Sequence, residues 1–267
     1  MRRPPRAFTL VELPAVSRRE RGAFTLVEML VVIGLIALLL GLLLVALAKA
    51  RRQSQQIACA STLRQIATVQ QLYLNEFKDY YLPVKWGYDL TRPAGWPPIP
   101  PLPEPPAVTH LHWPGNPAFR RGLQLRQFGT TRVPYGLICP RAVLAINEAD
   151  KNGYVIQRSY GYNTDSLNGR AGAPVYYTGH KRKDVRSPAT KLMFADATSG
   201  NITKAGATNY DKYGEFWGLP PGGGNPITNV TAYRHDKGAN VAFWDGHVER
   251  LRRDEVVNND NLWRVKK

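Results

Sequence analysis

FTLVEMLVVIGLIALLLGLLLVAL, Phe24 to Leu47, is the stretch from which the rest of the chain is read. It holds one acid, Glu28, and no base. A helix crosses the hydrocarbon core of a bilayer with about 20 apolar residues, so this stretch is long enough to span one. Arg18, Arg19 and Arg21 stand just before it, and Lys49, Arg51 and Arg52 just after it. A cleaved secretory signal has a shorter apolar region, of about 7 to 15 residues. The anomaly is Glu28. A carboxylate near the start of an apolar span costs several kcal/mol unless it is partnered, which marks it as functional. The competing reading is a plain signal anchor with Glu28 in the headgroup zone.

Upstream, residues 1–23 read MRRPPRAFTLVELPAVSRRERGA. Pro4, Pro5 and Pro14 remove backbone donors and disfavour a helix, and the arginines hold the segment on the cytoplasmic side. Phe8-Thr9-Leu10-Val11-Glu12 repeats Phe24-Thr25-Leu26-Val27-Glu28. Only the second copy leads into a long apolar run. The first meets Pro14 and then the charged cluster at 18–21, so the second is taken as the working copy.

Downstream, Ala48 to Phe77 contains no glycine or proline. Cys59, Leu63, Ile66, Val69, Tyr73 and Phe77 recur at spacings of three and four, one apolar stripe on a helix. The spacing predicts that the apolar helix runs on as an amphipathic one and packs its stripe on a sheet. Residues 83–106 then become proline-dense, with Trp86 and Trp96 interleaved, which predicts an extended surface loop. His110 and His112 alternate around Leu111 and lie on one face of a strand, a weak metal pair without a third ligand. Arg120, Arg121, Arg126 and Arg132 read as a solvated basic patch.

Farther on, Ser159 to Asn163 (SYGYN) and Lys191 to Asp196 (KLMFAD) read as strands, the second buried and ending in an acid. Gly218 to Asn225 is loop. Val241–Trp244 and His247–Leu251 are strand candidates around Asp245-Gly246. That dipeptide predicts a type I′ hairpin turn, with positive φ at both central residues.

Gly22-Ala23 followed by Phe24-Thr25-Leu26-Val27-Glu28 and an unbroken apolar helix resembles the leader of type IV prepilins and type II secretion pseudopilins. The resemblance implies that prepilin peptidase cuts on the cytoplasmic side before Phe24 and N-methylates the new terminus. Phe24 then becomes the first mature residue and Glu28 the fifth. The usual residue before the cut is glycine, so Gly22, one position early, leaves the cut after Gly22 or after Ala23. Glu28 is expected to neutralise a terminal amine and set the register between neighbouring subunits. At the other end, His235, nine intervening residues and then Asp245-Gly246 resemble the H-X9-DG domain found with such N-termini. Cys139-Pro140 and the Tyr160-to-Asn163 step occur in the same order in that group.

The resemblance implies an α+β, pilin-like fold: a long N-terminal helix, membrane-spanning in its first half, packed on an antiparallel β-sheet. The expected organisation is a leader at 1–23, the transmembrane part of the helix at 24–48 and its periplasmic part at 49–79. A proline-rich loop region at 80–135 and a β-rich globular domain at 136–267 follow. It further implies a single-pass inner-membrane protein with a cytoplasmic N-terminus and a periplasmic domain. The expected partners are prepilin peptidase, other pilin-like subunits and the lipid bilayer.

The net charge of +16 by itself fits nucleic acid, an anionic surface or an acidic polymer. No finger spacing or aromatic RNA-binding strand supports nucleic acid, which is not expected as a partner. No nucleophile elbow or phosphate loop is present, so the chain is read as structural rather than catalytic. Cys59 and Cys139 allow either one disulfide or two unrelated buried thiols. No cofactor is expected. A divalent cation such as calcium among Asp196, His235, Asp245 and His247 is the weaker alternative to a purely structural role for these residues. The rival function is a singly anchored envelope protein that binds acidic polysaccharide or a protein partner.

Overall fold

The computed structural model describes residues 25–86, 111–125, 130–165, 180–216, 218 and 227–265. The leader with its first FTLVE copy, Gly22, Ala23 and Phe24, most of the proline-dense stretch, His110, Arg126 and most of the 218–225 loop lie outside them. The chain divides into two compact units, residues 1–49 and 50–267.

The N-terminal helix, α1, runs unbroken over Leu26–Glu76. In the first unit all its described side chains are exposed. Leu30, Ile33, Leu38, Leu42 and Leu44 are among the bare apolar residues, and the helix is long and apolar enough to cross a membrane. In the second unit the predicted stripe is the buried face. Cys59, Leu63, Ile66, Val69, Tyr73 and Phe77 all lie in the core, joined by Ala67 and Leu74. Burying a leucine or isoleucine contributes roughly 1.5–3 kcal/mol. Leu63, Ile66 and Leu74 together therefore contribute roughly 4.5–9 kcal/mol to holding α1 on the domain.

Among the described residues nine short strands follow: β1 (Lys85–Trp86), β2 (Leu111–His112), β3 (Arg132–Val133), β4 (Tyr154–Val155) and β5 (Tyr160–Asn163), then β6 (Leu192–Asp196), β7 (Asn201–Ile202), β8 (Gly238–Phe243) and β9 (Val248–Arg252). β1 pairs with β2 and β3 with β4, each antiparallel. The main sheet has the order β7-β5-β6-β8-β9. Its pairs are antiparallel except β5–β7, which is parallel, so the sheet is mixed rather than purely antiparallel. The parallel pair brings Gly161 against a neighbour that tolerates no side chain. A Cβ there would meet Ile202 Cγ2 at 2.7 Å, Ser199 O at 2.8 Å and Ala197 Cβ at 2.9 Å.

Alternation sorts the two faces of the sheet. Phe194, Ala242 and Trp244 join the α1 core. Ala195, Ala239, Val241 and Phe243 form a second core with Trp263, Leu262 and Val256 of the C-terminal segment. Both faces are thus covered, which is why β6 is buried at every position. β9, at the edge, carries Glu249, Arg250 and Arg252 and stays partly exposed, as an edge strand must to avoid pairing with another chain.

Two sequence expectations need correction. The type I′ turn is not at Asp245-Gly246. Phe243 O accepts from the Gly246 amide at 3.0 Å, and of the Asp-Gly pair only Gly246 has positive φ, at 99°. The Phe243 amide donates to His247 O at 2.9 Å, so the loop proper is residues 244–246, with Gly246 at positive φ, between the strands Gly238–Phe243 and Val248–Arg252. Two consecutive positive φ values do occur at the other end of β8, at Asp236 (48°) and Lys237 (59°). His235 and Gly238 exchange both backbone hydrogen bonds across this turn, at 3.1 and 2.9 Å. Arg250 clamps it by donating to His235 O and Asp236 O. The second correction concerns the basic patch. Arg120, in the short helix Pro117–Gly122, is buried and donates to Pro114 O, Thr130 O and Arg132 O, so it ties backbone together instead of facing solvent.

Candidate functional site

At the start of α1, Thr25 and Glu28 satisfy each other. The Thr25 amide and hydroxyl both donate to Glu28 Oε2 at 2.8 Å, and the Glu28 amide donates to Thr25 Oγ1 at 3.2 Å. This is a reciprocal capping box, which satisfies two of the donors at the start of the helix. The carboxylate that looked anomalous in an apolar span thus has local partners, and the apolar helix behind it is uncovered. Residues 18–47 match the prokaryotic N-terminal methylation motif. No curated protein and no solved structure matches the chain. The methylation motif implies processing by prepilin peptidase and assembly with other pilin-like subunits, and it points to a structural subunit rather than an enzyme. It covers Gly22, Ala23 and Phe24, whose placement lies outside the described residues, and Glu28, whose placement is described.

The C-terminal candidates separate into two places. Asp245 and His247 sit together at the hairpin tip, partly exposed, with His247 Nδ1 2.6 Å from Asp245 Oδ1. Asp245 Oδ1 also accepts from the His247 amide at 3.1 Å, a local turn contact. The tip docks on α1. Gln71 Nε2 and the Tyr81 hydroxyl both donate to Trp244 O, at 3.0 and 3.1 Å. A Cβ on Gly246 would come within 3.3 Å of Gln71 Cγ. The Trp244 ring is buried, and its Nε1 donates to Leu192 O at 2.9 Å.

Asp196 and His235 sit at the other end of β8, fully buried, beside Cys59 and Cys139. The two cysteines are joined as a disulfide with Cα atoms 4.9 Å apart, linking α1 to the segment before β4. His235 Nε2 lies 3.5 Å from Cys139 Sγ and 3.7 Å from Asp196 Oδ2. Asn240, on β8, donates to Asp196 Oδ2 from its amide (2.7 Å) and its side chain (3.1 Å). Asp196 Oδ1 and His235 Nδ1 are buried with no hydrogen-bond partner among the described residues. Burial pushes the Asp196 carboxyl up to about 7, against the pull of Arg234 and Asn240. Burial also pushes His235 down to about 4, helped by Arg141, Arg234 and Arg250. Between these values both groups stand neutral.

The spacing of the two anchor points follows from geometry. Cys59 and Gln71 are twelve residues apart on α1, about 18 Å along a helix. The six-residue strand β8 spans about 20 Å. His235 before β8 and Gly246 after it therefore meet the helix at its two contact points.

Two residues here went unsingled in the sequence. Arg234, adjacent to His235, is buried and paired with Glu215 at 2.6 Å; it also donates to Ser159 O, Arg158 O and Ala197 O. Nothing in one dimension marks an arginine for the interior. Thr25 had a signal, the Thr-X-X-Glu pattern of a capping box.

Proposed function

We propose that this chain is a pilin-like subunit, matured by prepilin peptidase at Phe24 and N-methylated there. It is assembled through α1 into a type II secretion or type IV pilus-like fibre. In this reading the leader stays in the cytoplasm, the first half of α1 sits in the inner membrane, and the domain from about residue 50 faces the periplasm. The observation that carries it is the methylation motif at residues 18–47 running into α1, which begins at Leu26 and is buried only along its second half. The exposed apolar half needs a partner: lipid before assembly, copies of itself after. His235 and Asp245-Gly246 then have a structural role, holding the hairpin along α1.

Mass spectrometry of the first peptide of the membrane-extracted protein tests the reading. An N-methylated Phe24 supports it. An N-methylated Ala23 keeps the processing and moves Glu28 to sixth place. An intact Met1 overturns it and leaves a plain membrane anchor, with the envelope binding protein as the better account.

A further inference from the structure

One donor atom from each of Cys59, Cys139, Asp196 and His235 falls within 4.8 Å of all the others, and all four residues are buried. Two sulfurs, an imidazole nitrogen and a carboxylate oxygen are the donors of a zinc-class site. Calcium and magnesium take oxygen ligands, so the donor set argues against them here. We propose that the reduced chain binds a zinc-class divalent cation through Cys59, Cys139, Asp196 and His235, in place of the disulfide. This goes beyond the assembly reading and does not depend on it.

The distances support it. In a tetrahedral site with zinc–sulfur bonds of about 2.3 Å and zinc–nitrogen or zinc–oxygen bonds of about 2.0 Å, neighbouring ligand atoms stand roughly 3.3–3.8 Å apart. His235 Nε2 is already 3.5 Å from Cys139 Sγ and 3.7 Å from Asp196 Oδ2. The two sulfurs must separate, which breaking their bond permits, and the widest pair of the cluster, up to 4.8 Å apart, must close by about an ångström. Asp196 supplies the second, independent sign. It is a fully buried carboxyl group whose Oδ2 stands 3.7 Å from His235 Nε2 and whose Oδ1 has no partner among the described residues, so it keeps an acceptor to spare for a cation. His235 presents Nε2 to the cluster, facing both Cys139 Sγ and Asp196 Oδ2. Two thiolates, one carboxylate and a divalent ion leave one net negative charge. Arg141, Arg234 and Arg250 act on His235 and offset that charge.

The chemistry balances with a phosphine as reductant. Phosphorus gives two electrons to the S–S bond. Water supplies the oxygen of the phosphine oxide and the two hydrogens of the thiols. Metal binding then releases both thiol protons and any proton that Asp196 carries, and the cation keeps its oxidation state.

The test uses the full chain in detergent, with and without a phosphine, dialysed against zinc and then against metal-free buffer. One zinc per reduced chain and none on the oxidised chain is the expected result. Cobalt in place of zinc should give thiolate-to-cobalt charge-transfer absorption with tetrahedral ligand-field bands. Cys59→Ser should abolish those bands, and His235→Ala should weaken binding by more than about tenfold. Reduced protein that keeps no zinc overturns the proposal. So does zinc retained equally by the oxidised chain, or cobalt bands unchanged in Cys59→Ser. The oxidised-against-reduced comparison uses one unmutated chain, so a variant that fails to fold leaves the question decidable.

Discussion

In the oxidised chain, Asp196 and His235 should hide each other's pH dependence, and single substitutions should uncover it. The Asp196 carboxyl sits near 7 against an ordinary 3.8. The folded state therefore keeps a proton that the unfolded chain has lost. Its stabilisation is complete below about pH 4 and is lost as pH rises through about 7. His235 sits near 4 against an ordinary 6.5. Here the unfolded chain binds a proton that the folded state refuses. That stabilisation is complete above about 6.5 and is lost as pH falls through about 4. Each group alone gives a slope of about 1.4 kcal/mol per pH unit, and between about pH 4 and 6.5 the two slopes oppose and cancel. Asp196→Asn should leave the histidine slope, with stability rising by roughly 3 kcal/mol across that window relative to wild type. His235→Gln should leave the mirror image, falling by a similar amount. Urea unfolding in detergent, followed by tryptophan fluorescence at a series of pH values, reads both. Other titrating groups are common to the three chains and drop out of the differences. Parallel pH curves for all three, or equal signs for the two variants, would refute the reasoning.

Reducing the Cys59–Cys139 link opens a loop of 80 residues. In buffer with a chelator it should lower stability by up to about 4.5 kcal/mol, read as a drop in the urea midpoint; an unmoved midpoint shows that the link adds nothing to packing. Gly161→Ala forces a Cβ into Ile202, Ser199 O and Ala197. It should cost about 1–3 kcal/mol in the same assay, and a neutral result contradicts the close approach of β5 and β7. Glu28→Ala should leave domain unfolding unchanged and abolish cross-linking between neighbouring copies in membranes; wild-type cross-linking would remove Glu28 from assembly.

Most of α1 was legible because its signal is local and periodic. The apolar run and the three-and-four stripe each name one face, and the helix obeys both from Leu26 to Glu76. The strands at Tyr160–Asn163 and Leu192–Asp196 were legible for the same reason. The turn was misplaced because the preference for Asp-Gly is a local rule. The two positive φ values at Asp236 and Lys237 are held from a distance, by Arg250 on β9. Arg120 and Arg234 were illegible because burying a guanidinium depends on carbonyls supplied by other segments. His235, Asp196 and the two cysteines could each be singled out in the sequence. Their convergence could not, since they come from four separate segments that meet only when α1 lies on the sheet.

Cys59 is the first buried residue of α1, counted from its exposed end. A tension drawn along the helix from its N-terminal side enters the domain there. It meets a covalent bond at the first fully buried side chain, just past the half-buried Gln55 and Gln56. The load is then shared with the segment around Cys139, ahead of the apolar contacts at Leu63 and Ile66. The hairpin grips the same helix again at Gln71, so pulling shears β8 along its length instead of peeling it from one end. Pulled by that helix, such a domain would transmit force lengthwise and resist being stripped from its own stem.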